Sequence, residues 1–226
     1  MKFVNIHGFP IAQTTYDEVI ETVEQFLKIK KFHRIVTLNP EMVVGSPDTT
    51  ADLYLPDGKG LVVAAKLLKN QTLNQITGSD LTPKLFQKKF SFYLVGTTPE
   101  ILQKALQVVP NVVGSHHGYF LDDEEIIEDI KIKRPDIVLA GLGFPKQDDF
   151  LKRCEHVLDY GVGIGVGGVF DILAGTKKRA PVWMQKAGLE WLFRGLIEPR
   201  RIKRWMFIPR YLRLILTERF RESPPE

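Results

Sequence analysis

The chain has 226 residues, 44% of them hydrophobic and 26% charged, so it can form one sizeable core and is not broadly disordered. Its one cysteine, Cys154, excludes an intramolecular disulfide framework and is expected to be a small core residue in a reducing compartment. No signal-peptide pattern begins the chain, and no stretch approaches the roughly 20 apolar residues of a membrane-spanning helix. These features predict a cytoplasmic protein.

The net charge of +4 is unevenly distributed along the chain. Residues 176–226 carry thirteen Lys and Arg against five Asp and Glu, a net charge of +8, and residues 1–175 carry a net charge of −4. A mildly acidic body with a strongly basic C-terminal part indicates a polyanionic partner: anionic lipid, nucleic acid or a phosphorylated ligand. Nucleic acid is the least favoured, because no base-reading motif accompanies the charge.

Strands and helices alternate regularly in the predicted elements. Apolar runs predict strands at 35–38, 92–96, 112–113, 137–140 and 162–166. Helices are predicted from Thr14 or Thr15 to about Lys31, after Gly58, after a cap at Ser79 or Asp80, from Pro99, at 124–132 and at 146–158. This alternation is typical of a mostly parallel sheet with helices on both faces, an α/β fold. From Pro181 onward the chain is predicted to be purely helical.

The segment 199–221 combines arginines with apolar residues near helical spacing, and Pro209 is expected to break or kink it. The apolar residues are Ile202, Trp205, Met206, Ile208, Leu212, Ile215, Leu216 and Phe220. A basic amphipathic helix of this kind indicates binding to a membrane surface. A helix packed on its own domain or on a dimer partner is the alternative. We therefore predict a domain at 1–195 and a membrane-association appendage at 196–226.

Clusters of glycine, proline and polar residues follow nearly every apolar run. They lie at 37–41, 55–58, 77–80, 141–147 and 165–171. In an open parallel sheet the segments after the strands converge on one crevice, where ligands bind. The clusters therefore predict an enzyme whose site is assembled from many loops.

Within these clusters, Asp57 lies in a Pro-Asp-Gly turn before a predicted helix, which places its carboxylate at the crevice. Turn chemistry alone is the alternative explanation. Thr37 and Asn39 end the first buried strand, where they could also satisfy backbone groups. Lys146 and Gln147 begin a helix, and a helix N-terminus favours anions.

Other motifs carry weaker signals. Residues 163–168 match G-x-G-x-x-G, the dinucleotide fingerprint, but they lie far along the chain and no suitably placed acid follows. An NAD(P)-dependent oxidoreductase is therefore a remote alternative. His116 and His117 have no further ligands at metal-binding spacing, and no Asp-x-Asp triplet is present, so no metal site is predicted.

Taken in series, the clusters resemble those of the WecG/TagA/CpsF glycosyltransferases (glycosyltransferase family 26). The resemblance spans almost the whole chain in the expected order. It is carried by the five clusters above and by 117–120, 178–181, 188–194 and 198–201. It implies a Rossmann-like body and inverting transfer of a sugar, often of N-acetylmannosamine type, from a UDP donor. The implied acceptor is an undecaprenyl-diphosphate-linked sugar at the cytoplasmic membrane face, in the synthesis of a surface polymer.

The resemblance also implies roles for individual residues. Asp57 matches the family's proposed general base, and Thr37, Asn39 and Gln147 match positions in its catalytic pocket. Residues expected to contact the nucleotide-sugar are Gly78, Asp80, Gly96, Tyr119, Gly143, Lys146, Gly165, Gly167 and Asp171. Candidates for contact with the diphosphate or the membrane are Arg179, Arg200, Arg204, Arg210 and Arg213. No cofactor is expected apart from the UDP-sugar substrate, and a homo-oligomer is left open.

The chain departs from the family pattern at two places. The segment 42–50 is shorter than the helical insert usual there, and Gln75 stands where the family favours arginine. These departures leave open a catalytically degenerate member that binds lipid or polyanions.

Overall fold

The computed structural model describes residues 1–45, 50–198 and 205–222. These residues form an α/β fold around one eight-stranded sheet. The strands are β1 (Lys2–Ile6), β2 (Phe9–Gln13), β3 (His33–Leu38), β4 (Leu53–Pro56), β5 (Phe92–Gly96), β6 (Val112–His116), β7 (Ile137–Gly141) and β8 (Val162–Gly165).

Eleven helices are present in the described residues. They are α1 (Tyr16–Phe26), α2 (Pro40–Gly45), α3 (Lys59–Lys69), α4 (Gly78–Leu85), α5 (Pro99–Leu106), α6 (Glu124–Lys133), α7 (Lys146–Val157), α8 (Val169–Leu173), α9 (Val182–Ala187), α10 (Glu190–Ile197) and α11 (Phe207–Glu222). Within the same residues, none of them has both the length and the apolar character needed to cross a bilayer.

The sheet has the order β1-β2-β4-β3-β8-β7-β5-β6. Only the β1–β2 pair is antiparallel, and every other pairing is parallel. Parallel strands place their carboxyl ends on one edge, so the segments after β3, β4, β5, β7 and β8 all emerge there. The predicted Rossmann-like sheet, helix-covered on both faces, is confirmed.

Buried apolar side chains form clusters on both faces of the sheet. One cluster joins Ile35, Leu94 and Ile164 to the helices α1, α4, α5 and α8. The others involve α2, α3 and α11, and α6 and α7. Cys154 lies fully buried in the α7 cluster, as expected, and burial raises the pKa of its thiol.

Two local predictions, the end of α1 and the cap of α4, differ from the structure. Helix α1 ends at Phe26 and not near Lys31, because the chain turns there to bring the buried Phe32 to the start of β3. Thr77, and not Ser79 or Asp80, caps α4: its hydroxyl accepts the Asp80 N–H at 3.1 Å.

The first two strands, β1 and β2, form a hairpin. The β1–β2 turn has positive φ at both His7 and Gly8, a primed turn that suits the twist of a hairpin.

Pro209 lies in the first turn of α11, where its missing N–H has no helical partner to lose. It therefore marks the start of a helix and does not break the described one.

Candidate active site

Asp57 lies at the carboxyl end of β4, directly beside the end of β3. Pro56 pairs with Leu38 in the parallel register, and the Asp57 N–H donates to the Leu38 carbonyl at 2.7 Å. The backbone of the acid is thus fixed by the sheet. The side chain extends beyond the strand end, at the edge where the loop clusters meet.

Burial raises the pKa of the Asp57 carboxyl to about 7. The nearby guanidinium groups of Arg194 and Arg179 oppose this shift, and the carboxylates of Glu190 and Asp80 add to it. Two Arg–carboxylate pairs therefore act on Asp57, and within each pair the two charges shift its pKa in opposite directions. A carboxyl group with a pKa near neutrality can take up and release a proton at working pH, as a general base must.

Thr37 and Gln147 both hold the glycine-rich segment that follows β8. The Thr37 hydroxyl donates to the Gly165 carbonyl at 3.0 Å, and the Gln147 side-chain oxygen accepts the Gly167 N–H at 3.0 Å. A Cβ on Gly165 would lie 2.4 Å from the Gln147 Nε2, so this close approach requires glycine. Asn39 caps α2 by accepting the Met42 N–H at 3.1 Å. The structure therefore brings Thr37 and Gln147 together around β8.

An open cleft of about 620 Å³ lies beyond the ends of β5, β6 and β7. It is lined by Thr97, Gly118, Tyr119, Phe120, Leu121, Gly141, Leu142 and Lys146. The Lys146 ammonium donates to the Gly118 carbonyl at 2.8 Å and lies 4.1 Å from the centre of the Phe120 ring. Tyr119 is largely exposed. The cleft thus combines aromatic and apolar walls with one cation at the start of α7.

The predicted glycines shape the same edge of the sheet. A Cβ on Gly96 would lie 2.5 Å from the backbone of Gly141, so two strand ends approach closely beneath the cleft. Gly143 has a positive φ of 76° in the loop before α7, and Gly78 lies beside Val166. Gly96 thus permits a close backbone approach and Gly143 a positive φ, and Gly78 makes an ordinary contact with Val166.

Two predicted acids are engaged with cations of the chain. Asp80 forms a two-pronged ion pair with Arg179, at 2.6 and 3.2 Å. Burial alone would raise the pKa of Asp80, but the hydrogen bonds from Arg179 and Thr77 hold it below its usual range. Asp171 pairs with the Lys177 ammonium at 3.1 Å.

Sequence reasoning missed Glu190 and Arg194 of α10, which pair with each other at 3.0 Å and act on the charge of Asp57. Arg194 lies in one of the clusters that carry the family resemblance, and that was the available signal. Of the arginines chosen instead, Arg210 and Arg213 are exposed on α11. Arg200 and Arg204 lie outside the described residues.

No group of three or more His, Cys, Asp or Glu side chains among the described residues is arranged to hold a metal ion. His116 contacts His117 and Phe120, in an aromatic group beside the cleft. The expectation that no metal is needed stays a prediction.

Comparison with known proteins identifies the family. The sequence model of the family described as "Glycosyl transferase WecG/TagA/CpsF family" matches residues 4–225. The chain belongs to this family. It is a glycosyltransferase, as the resemblance implied.

Two curated relatives cover nearly all of the chain. Both are named N-acetylglucosaminyldiphosphoundecaprenol N-acetyl-beta-D-mannosaminyltransferase. The one from Bacillus subtilis is 30% identical and covers 96% of this chain and 93% of its own length. The one from Staphylococcus aureus is 33% identical and covers 92% and 90%, respectively.

The raised pKa of Asp57 predicts a pH-dependent gain in stability on Asp57→Asn. The folded-state pKa near 7 exceeds the ordinary value of 3.8, so the folded wild type loses stability as the pH rises from about 3.8 to about 7 and stays less stable above that range. We expect the variant to be more stable than wild type by about 2 kcal/mol at pH 8, with the difference gone at pH 3. Urea unfolding at both pH values measures this, with the exposed Asp159→Asn as control. An equal effect at the two pH values would contradict the assignment.

Proposed function

We propose that the enzyme transfers an N-acetylmannosamine-type sugar from a UDP-sugar to a polyprenyl-diphosphate-linked N-acetylglucosamine, with inversion, in the synthesis of a cell-surface polymer. The observation that carries the proposal is the placement of Asp57, with its pKa near 7, at the sheet edge where the family's loop clusters converge. The two relatives, whose names specify this sugar and this acceptor, support the substrate assignment.

Asp57 is the proposed general base. Its carboxylate takes the proton of the acceptor hydroxyl as that oxygen attacks the anomeric carbon of the donor sugar. The bond from that carbon to the UDP oxygen breaks, and UDP leaves with the electron pair. A direct displacement by this route inverts the anomeric centre. A base with a pKa near 7 balances ionisation against proton affinity.

The cleft of about 620 Å³ is the proposed nucleotide site, because its volume and its aromatic walls suit a small polar ligand with a planar ring. The Lys146 ammonium and the N-terminus of the twelve-residue α7 supply positive charge for the diphosphate. Arg194 is a second cation near Asp57 for the developing charge on UDP. Thr37 and Gln147 keep the glycine-rich segment in place.

Helix α11 supports peripheral association with the inner face of the membrane. Tyr211 and Ile215 face the body and are buried, whereas Leu212 and Leu216 are 55% and 54% exposed. Arginines of the same helix, Arg210 among them, are exposed beside these leucines. Apolar side chains next to cations suit an anionic lipid surface, where the acceptor's prenyl chain resides.

The proposed activity is tested by UDP release from a panel of UDP-sugars, with and without a short prenyl-diphosphate-GlcNAc acceptor, on anionic liposomes. We expect acceptor-dependent release from an N-acetylmannosamine donor. Asp57→Asn should lower the rate at least 100-fold and leave UDP affinity within about twofold, because only proton transfer is lost.

Asp159→Asn, an isosteric change at an exposed acid, is the matched control and should retain wild-type turnover. No release from any donor by folded, liposome-bound protein would favour a degenerate binding member. Near-normal turnover by Asp57→Asn would refute the base assignment alone.

The two residues of the Glu190–Arg194 pair predict opposite pH shifts. The carboxylate of Glu190 raises the pKa of Asp57 and the guanidinium of Arg194 lowers it. The acid limb of the kcat/KM profile, near pH 7 in wild type, should therefore move to lower pH in Glu190→Gln and to higher pH in Arg194→Gln. Shifts in the same direction would show that the limb reports another group.

The exposed leucines of α11 predict that membrane binding can be lost without a loss of thermal stability. Leu212→Glu together with Leu216→Glu should reduce binding to anionic liposomes at least tenfold, because the new carboxylates are repelled by the lipid headgroups. The thermal midpoint should hardly change, because both side chains are exposed. Ile132→Glu, at a 73% exposed position on α6, is the control. Sedimentation with vesicles measures binding, and unchanged binding of the double variant would refute this surface.

A further inference from the structure

Arg179 joins two parts of the chain that are distant in sequence. Its Nη1 donates to one oxygen of Asp80 at 2.6 Å, and its Nη2 reaches the other at 3.2 Å. The same Nη2 donates to the Gln185 side-chain oxygen at 3.0 Å. Gln185 in turn donates to the Ala180 carbonyl at 2.6 Å. One guanidinium thus links the start of α4 to α9.

The Asp80 side of this link is rigidly held. Asp80 lies in the first turn of α4, and its carboxylate also accepts the Thr77 hydroxyl at 2.8 Å. The Thr77 N–H donates to the Tyr16 hydroxyl at 3.3 Å, which ties the cap of α4 to α1. Arg179 therefore binds an acid that is held in place by the cap of α4.

Gln185 lies in α9, and the next helix, α10, carries charged residues that act on Asp57. Gly188 follows the last residue of α9, and a Cβ there would lie 2.4 Å from the side chain of Lys59 in the first turn of α3. Helix α10 starts two residues later and carries Glu190 and Arg194, whose charges act on Asp57. The orientation of α10 over the site thus depends on how α9 is held.

We propose that Asp80, Arg179 and Gln185 form a positioning clamp that holds α9 and α10 over Asp57, and that they do not contact the nucleotide-sugar. This inference rests on the proposed function, in which Asp57 is the base and Arg194 serves the leaving group. Both terminal nitrogens of Arg179 are engaged, and its buried Nε has no partner among the described residues. A buried Nε cannot meet a phosphate from solution.

The test is a double-mutant cycle with Asp80→Asn, Arg179→Gln and the combined variant. Each single variant breaks the same ion pair, so each should lower kcat about tenfold or more, and the combination should be no worse than either. UDP affinity, measured by calorimetry, should stay within twofold of wild type. Asp159→Asn, which breaks an exposed ion pair with Arg134 at the other end of the sheet, should change neither quantity.

Amide hydrogen exchange supplies a second measurement that does not need turnover. In all three variants, exchange of residues 182–197 should rise at least fivefold, with the β3 and β8 amides unchanged. Gln185→Ala, which keeps the Asp80–Arg179 pair, should give a smaller rise in the same residues. It also serves as the milder variant where a charge variant folds poorly.

Three outcomes test the positioning clamp and the proposed function. A loss of UDP affinity in Arg179→Gln without a loss in Asp80→Asn would make Arg179 a phosphate contact and overturn the clamp. Unchanged exchange at 182–197 in the folded variants would overturn it as well. Absence of wild-type turnover on every donor would refute the proposed function, and raised exchange at 182–197 would still support the clamp as a structural link.

Discussion

The position of the Asp57 carboxyl is the constraint on which the site depends. Its backbone is fixed by the β3–β4 pairing, with the Leu38 carbonyl as its partner, so the acid is held at the end of an interior strand. Burial of an ionisable group is unfavourable, and here it sets the pKa near 7. The elements around Asp57 supply cations that limit this cost, chiefly Arg194 of α10 and Arg179 before α9.

Each of those cations is itself paired with an acid. Arg179 binds Asp80, and Arg194 binds Glu190. Paired in this way, the arginines can stand close to Asp57 without stabilising its ionised form so strongly that it loses its affinity for a proton. A free arginine in contact with the carboxylate would lower the pKa well below neutrality and weaken the base. The acids thus oppose the effect of the cations on the pKa of Asp57.

Much of the fold and part of the site could be predicted from local patterns in the sequence. Buried strands ending in polar clusters predicted the sheet and placed Asp57 at its edge. The clusters at the ends of β3 and β8 meet as expected, through the Thr37 hydroxyl and the Gly165 carbonyl. The pairings between distant residues were not predictable, because hydrogen bonds such as that between Arg179 and Asp80 join positions 99 residues apart. Nothing local to Asp80 distinguishes an acid that binds ligand from one that binds an arginine. The inward face of α11 was equally hidden, since its apolar residues suit both lipid and core.

Helix α11 connects the proposed membrane surface to the site through packing. Tyr211 and Ile215 belong to the same apolar cluster as β1, β2 and β4, and the Tyr211 hydroxyl donates to the Gly60 carbonyl at 3.3 Å. Gly60 lies in the first turn of α3, three residues after Asp57. Undocking the helix into water would expose two buried side chains, at about 1.5–3 kcal/mol each. Leu212 and Leu216 face outward while the helix stays docked, so contact with a bilayer requires no such loss. The helix can therefore meet lipid and support the first turn of α3 at the same time.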